Sequence, residues 1–108
     1  PWRGGGLFNV IILDKKVLPP IAPTSVGLTV ASSSIDVAWT AGDSVTTSYD
    51  VHRKTTATGT FSSIGTPSTV SYSDSDVSAG GTYWYRVFAK NSDGTSLGSS
   101  VVKVTYNP

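Results

Sequence analysis

Few side chains in this 108-residue chain could carry chemistry. It has one histidine, His52, seven aspartates, and neither cysteine nor glutamate. A metal site would have to be built from one imidazole and scattered carboxylates, a poor match to the three or four converging ligands that zinc or a transition metal takes. Seventeen serines allow a Ser-His-Asp set to be written down. A nucleophile must be held against its base, however, and nothing resembles the G-x-S-x-G elbow that does so. Asp74-Ser75-Asp76, close to Gly80-Gly81, has some of the oxygen content of a calcium loop. Calcium needs several carboxylates and carbonyls converging on one point, so the segment reads as a solvated turn whose side chains bond their own backbone. Gly4-Gly5-Gly6 follows no strand and cannot form a phosphate cradle. The expectation is a protein that is not an enzyme, with no catalytic residue, no cofactor and no metal.

Residue types suited to binding are better represented. In Thr82–Lys90 (TYWYRVFAK), Tyr83, Tyr85, Val87 and Ala89 alternate with Trp84, Arg86 and Phe88. If the first set faces a core, the second points outward, beside Asp50, His52 and Lys54 of SYDVHRK and Val101, Lys103 and Thr105 of SVVKVTY. Trp, Phe and Arg together are the mix favoured at the centre of interfaces. The same residues can instead form a cross-strand ladder, with Arg86 stacked on the rings and Asp50 pairing with the cations, worth a few tenths to about 1 kcal/mol per pair. Both readings stand. A second candidate is the run Leu7, Phe8, Val10, Ile11, Ile12 and Leu13. Burial stabilises each large apolar side chain by about 1.5–3 kcal/mol, so the run calls for cover, either on a sheet edge or on an outer face such as that of Trp84, in this chain or in a neighbour.

The elements that must position these residues are strands. Serine and threonine supply 31 residues, valine 13 and glycine 11, while glutamine, glutamate and methionine are absent; β-branched residues favour strands, and several of the best helix formers are missing. Residues 1–18 form one region: a glycine-rich lead, then an apolar strand or hairpin with a turn at Asp14-Lys15-Lys16, ended by Pro19-Pro20. Residues 19–108 form the domain. There, short strands recur about every ten residues, the spacing of a sandwich: Ser25–Val30, Ser34–Thr40, Ser48–Lys54, Phe61–Ile64, Thr69–Ser73, Thr82–Lys90 and Ser100–Tyr106. The fold class is thus all-β, a seven-stranded antiparallel immunoglobulin-like sandwich with an N-terminal hairpin or strand extension. Period 2 directs Ile35, Val37, Trp39, Tyr49, Val51, Val102, Val104 and Tyr106 inward, and puts Tyr49, Val51 and Arg53 on one side of their strand with Asp50, His52 and Lys54 on the other.

Charge narrows the partners. Eight Lys and Arg against seven Asp leave a net charge of +1, with no basic stripe for nucleic acid. No run approaches the roughly 18 apolar residues of a membrane span. Leu7–Leu13 is interrupted by Asn9 and lacks the flanks of a signal peptide. The chain opens at Pro1, which fits a processed product or a piece of something longer.

Residues 19–106 resemble a fibronectin type III domain of the microbial or phage kind. The resemblance rests on Pro19-Pro20 and Pro23 at the entry, Trp39 ending the second strand, Tyr49-Asp50-Val51, Tyr72-Ser73-Asp74, Gly81-Thr82-Tyr83-Trp84-Tyr85-Arg86-Val87 with Ala89, Asn91 and Gly94, and the closing S-x-x-V-x-V-x-T shape. It implies that Trp39 plugs the core and that the Tyr83 hydroxyl ties a backbone group at the sandwich end. The family's Arg-Gly-Asp adhesion signal is absent, and Lys90–Ser96 stands in its loop. The leading functional expectation is a structural or interaction module of an extracellular, cell-surface or virion-surface assembly. Its N-terminal extension would dock onto the same or a neighbouring subunit or domain. The alternatives are an accessory module of a secreted polysaccharide-degrading enzyme, with Trp84 and Phe88 as a surface for carbohydrate, and an adhesin or receptor domain. Fold alone does not choose among them.

Overall fold

A computed structural model describes residues 18–108; the apolar run at Leu7, Phe8, Val10, Ile11, Ile12 and Leu13, and the hairpin expected there, lie outside the described residues. Eight strands follow in order: β1 (Thr24–Val30), β2 (Ile35–Thr40), β3 (Ser48–Lys54), β4 (Ser62–Gly65), β5 (Ser71–Asp74), β6 (Thr82–Asn91), β7 (Gly94–Thr95) and β8 (Val102–Thr105). They make two antiparallel sheets. One is ordered β1-β2-β5 and the other β4-β3-β6-β7, with β8 also pairing β6.

The alternation in sequence becomes the alternation of faces. Ile35, Val37 and Trp39 from β2, Tyr49 and Val51 from β3, Tyr83, Tyr85, Val87 and Ala89 from β6, and Tyr106 after β8 are buried between the sheets. Trp39 sits edge-on to Tyr49, with ring centroids 5.3 Å apart, the geometry that ring quadrupoles favour. A tyrosine in or against the core must also place its hydroxyl, and four do so. Tyr72 donates to the Ile64 carbonyl (2.7 Å), Tyr85 to Asp74 (2.6 Å) and Tyr106 to the Ser32 carbonyl (3.0 Å). Tyr83 accepts the Ser78 backbone N–H at 2.8 Å, which is the corner tie the resemblance implied.

The count of seven strands becomes eight because the last one is divided. Asn91–Gly94 is not simply a turn: Asn91 and Gly94 pair, and β7 begins at its end. Between β7 and β8 the chain keeps to the flank of β6 without a regular ladder. Ser96 N–H and Ser99 N–H donate to the Ala89 and Val87 carbonyls, while the hydroxyls of the same two serines accept the Ala89 and Val87 N–H groups at 2.8 and 2.9 Å. Side-chain oxygens thus replace edge-strand carbonyls. The other sheet edges among the described residues are also short or irregular. β4 and β5 have four residues each, and β1 carries a bulge around Ser25, whose φ is 54°. Such edges resist pairing with other chains.

Candidate functional site

β3 and β6 run antiparallel with Asp50 opposite Phe88, His52 opposite Arg86 and Lys54 opposite Trp84; β8 continues the last row with Lys103 opposite Trp84. Because adjacent residues on a strand point to opposite sides, these side chains share the outer face of the larger sheet. The rings and cations of the expected ladder stack, but Asp50 pairs with His52 and Ser63 and not with Lys54, Arg86 or Lys103, because it stands opposite Phe88. Lys54 and Lys103, from the strands on either side, each place the ammonium over the Trp84 ring, 5.9 Å from its centroid. Arg86 lies over Phe61 at 4.5 Å and over Phe88 at 5.0 Å, and Lys54 also covers Phe61 at 4.9 Å. His52 packs on Phe88, with centroids 4.7 Å apart. Phe61, just before β4, was not among the sequence-derived site residues. The signal available was its place at the start of a strand facing β3, but its contact with Arg86 spans two strands and needs the sheet order.

Gly98 explains why Arg86 is half-buried. A Cβ built there would lie 2.6 Å from Arg86 Cδ, so a larger residue would push the arginine stem out of the place where the chain between β7 and β8 closes over it. Leu97, beside it, is thrown outward and is 85% exposed.

A serine, an aspartate and the histidine do meet on this face, in an order that does not suit nucleophilic catalysis. Ser63 donates to one oxygen of Asp50 (2.5 Å), and His52 Nε2 lies 3.1 Å from the other. In a triad the imidazole stands between hydroxyl and carboxylate, so that it can take the hydroxyl proton. Here the carboxylate stands between the other two: His52 and Ser63 are opposite one another across β3 and β4, but each turns to Asp50 and no hydrogen bond joins them. No group of three ligating side chains suited to a metal occurs among the described residues, and no helix there is long and apolar enough to cross a membrane.

The reading of Asp74-Ser75-Asp76 as a solvated turn needs correction. Asp76 is solvated, but the Asp74 side chain is only 4% exposed. Arg53, turned inward from β3, crosses between the sheets and binds both Asp74 oxygens at 3.0 and 2.8 Å, together with the Asp76 carbonyl at 2.9 Å. Tyr85 donates to Asp74 as well, and Arg53 lies 5.5 Å from the Tyr83 ring centroid. Burial acts to lower the Arg53 pKa, but hydrogen bonding to Asp74 and the charge of Asp74 overcome it and leave the pKa raised. Burial, then the bond to Asp74, pushes the Tyr85 hydroxyl far above the usual phenol range. This cluster is a saturated tie between sheets, with its carboxylate already occupied by the guanidinium.

At the end where the chain enters, Asp43 organises the β2–β3 loop. It accepts the Ile21 N–H (2.6 Å), the Val45 and Thr46 N–H groups and the Thr46 hydroxyl, and these bonds, Ile21 first, hold its carboxyl below the ordinary value. Asn91 joins the same end, donating to the Leu18 and Val45 carbonyls at 3.0 and 3.2 Å.

A disulfide-free, two-sheet antiparallel sandwich with a tyrosine corner belongs to the immunoglobulin-like class. Solved structures make the class more specific. A Fn3-like protein from Clostridium thermocellum matches with a TM-score of 0.72 and 27% identity, over 82% of this chain and 95% of that one. The fibronectin type III domain of human fibronectin type III domain containing protein 3 matches with a TM-score of 0.67 and 23% identity, over 89% and 93%. A segment of titin spanning several domains matches with a TM-score of 0.74 and 24% identity; 82% of this chain is covered, but only 32% of the titin segment. Residues 19–106 have the fibronectin type III fold. No protein-family profile and no curated protein matches the chain.

Proposed function

We propose that this chain is a non-catalytic interaction module of an extracellular or surface assembly, virion surfaces included. Two regions would make its contacts: the outer face of β3, β6 and β8, and the apolar segment Leu7–Leu13. The observation that carries the reading is the outer face itself, where Trp84, Phe88 and Phe61 hold Lys54, Arg86 and Lys103 in fixed rows. Pre-ordered aromatic and guanidinium groups lose little further entropy on docking. Domains of this fold occur as parts of larger chains, as in the titin segment, which favours a connecting or docking role over an autonomous activity. Leu7, Phe8, Val10, Ile11, Ile12 and Leu13 would dock onto a neighbouring subunit or domain. The short and interrupted edges of this sandwich favour an acceptor other than the edge of a second copy.

Deletion of residues 1–18 tests the reading. The truncated protein is expected to keep its circular dichroism and remain a monomer by light scattering, while the full chain assembles or binds its neighbour. Unfolding of the truncated form would place the segment in the domain's own core, and a full chain that stays monomeric and protects these residues from proteolysis would remove the docking role.

A further inference from the structure

The carboxylates and cations of the described residues are distributed unevenly. Asp74 and Asp76 serve Arg53, Asp43 serves the β2–β3 loop, and Asp36 on β2 accepts from the Ser34 and Ser73 hydroxyls. On the outer face of the larger sheet Asp50 is occupied by His52 and Ser63. Lys54, Arg86 and Lys103 therefore carry three positive charges on one flat surface with no carboxylate within ion-pair distance among the described residues. Lys54 Nζ donates to the Ala57 carbonyl, and Arg86 Nε is buried without a hydrogen-bond partner there. The charges are held in place by rings, and nothing described neutralises them.

Which occupant fits is decided by charge and shape. Residues 1–17 bring Arg3, Lys15 and Lys16 against Asp14, three positive and one negative for a net +2, so like charge opposes their covering this face. Among its described residues a second copy offers only separated carboxylates, Asp36 on its smaller sheet, already bonded to two serines, Asp76 beside Arg53 and Asp93 in the β6–β7 turn, and it carries a net charge of +1 itself. A sugar ring needs a free aromatic face, whereas the Trp84 ring has a lysine over it from each flanking strand. The rim is apolar: Val101 precedes Lys103 by two residues and is 46% exposed, and Leu97 projects beside Arg86. Cations around rings with an apolar margin complement carboxylates around an apolar centre.

We propose that the outer face of β3, β6 and β8 docks an acidic protein surface with an apolar centre, a partner different from the acceptor of Leu7–Leu13. This names the partner chemistry of the interaction-module reading and rests on it. The test uses the full chain and a fluorescent peptide of alternating glutamate and leucine, with a lysine-leucine peptide and heparin as the comparisons. The expected result is binding of the glutamate-leucine peptide alone, weakened as salt rises from about 50 to about 300 mM. Affinity should fall at least about tenfold in the Lys54→Glu, Lys103→Glu double variant. Lys54→Ala with Lys103→Ala, checked by circular dichroism, separates loss of binding from loss of fold. Removal of residues 1–18 should leave peptide affinity unchanged, so loss of assembly and loss of peptide binding are read separately. Unchanged affinity in both lysine variants, equal binding of the lysine-leucine peptide, or binding of heparin in place of the glutamate-leucine peptide would each overturn the proposal.

Discussion

β3 and β6 build a cation beside an aromatic ring on both of their faces, and the two sites differ in what they lack. Inside, Arg53 and Tyr85 meet Asp74, and the guanidinium, phenol and carboxylate satisfy one another. Outside, one residue along each strand, Lys54 and Trp84 meet with Lys103 across the way, and no carboxylate of the described residues joins them. The same pair of strands with nearly the same side-chain chemistry thus gives a tie between sheets on one side and an open charged surface on the other. Residue type does not distinguish structure from docking here; the presence of a counter-charge does.

The comparison is most severely tested by Asp74→Ala. Leaving Arg53 buried without its carboxylate should cost about 3–5 kcal/mol, read from urea unfolding; a cost below about 1 kcal/mol would make the inner cluster no more structural than the outer one. Tyr83→Phe comes next. It removes the hydroxyl that accepts the Ser78 N–H, and about 1 kcal/mol or more should be lost in the same measurement. Replacing both Lys54 and Lys103 by alanine should change unfolding stability by less than about 1 kcal/mol. That small cost, set beside the loss of peptide binding, would sharpen the contrast. The smallest effect concerns Asp43. Its folded-state pKa lies below the ordinary 3.8, so the stability it contributes is complete above that value and lost as the pH falls through the lower one. Melting temperatures taken from about pH 5 down to about pH 2 should therefore fall less steeply for Asp43→Asn than for the parent chain; identical acid limbs would remove Asp43 as the latch of the entry loop.

Alternation was legible because it is local. Each strand's core face follows from Cβ atoms pointing to opposite sides in turn, and this placed Val51, Tyr85 and Val87 inside and Trp84, Arg86 and Phe88 outside. The corner role of Tyr83 was legible through resemblance, since the residues around it stand in a recognisable order. The same alternation put Arg53 on the side of Tyr49 and Val51, but its partner was hidden. Asp74 sits 21 residues away, on the other sheet, in a segment whose composition is that of a solvated turn.

By itself the sequence determined the all-β class, the strand phases and the absence of thiol chemistry, all of which depend on residue type and short-range spacing. Tertiary structure decided the rest, because each remaining feature joins residues from different strands. Ser96 and Ser99 interrupt the last strand only once β6 lies alongside to supply the Ala89 and Val87 N–H groups. Phe61 reaches Arg86 only through the order β4-β3-β6. The open charge of the outer face, finally, follows from where the described carboxylates are spent, since a Coulombic partner is set by distance in space and not by position along the chain.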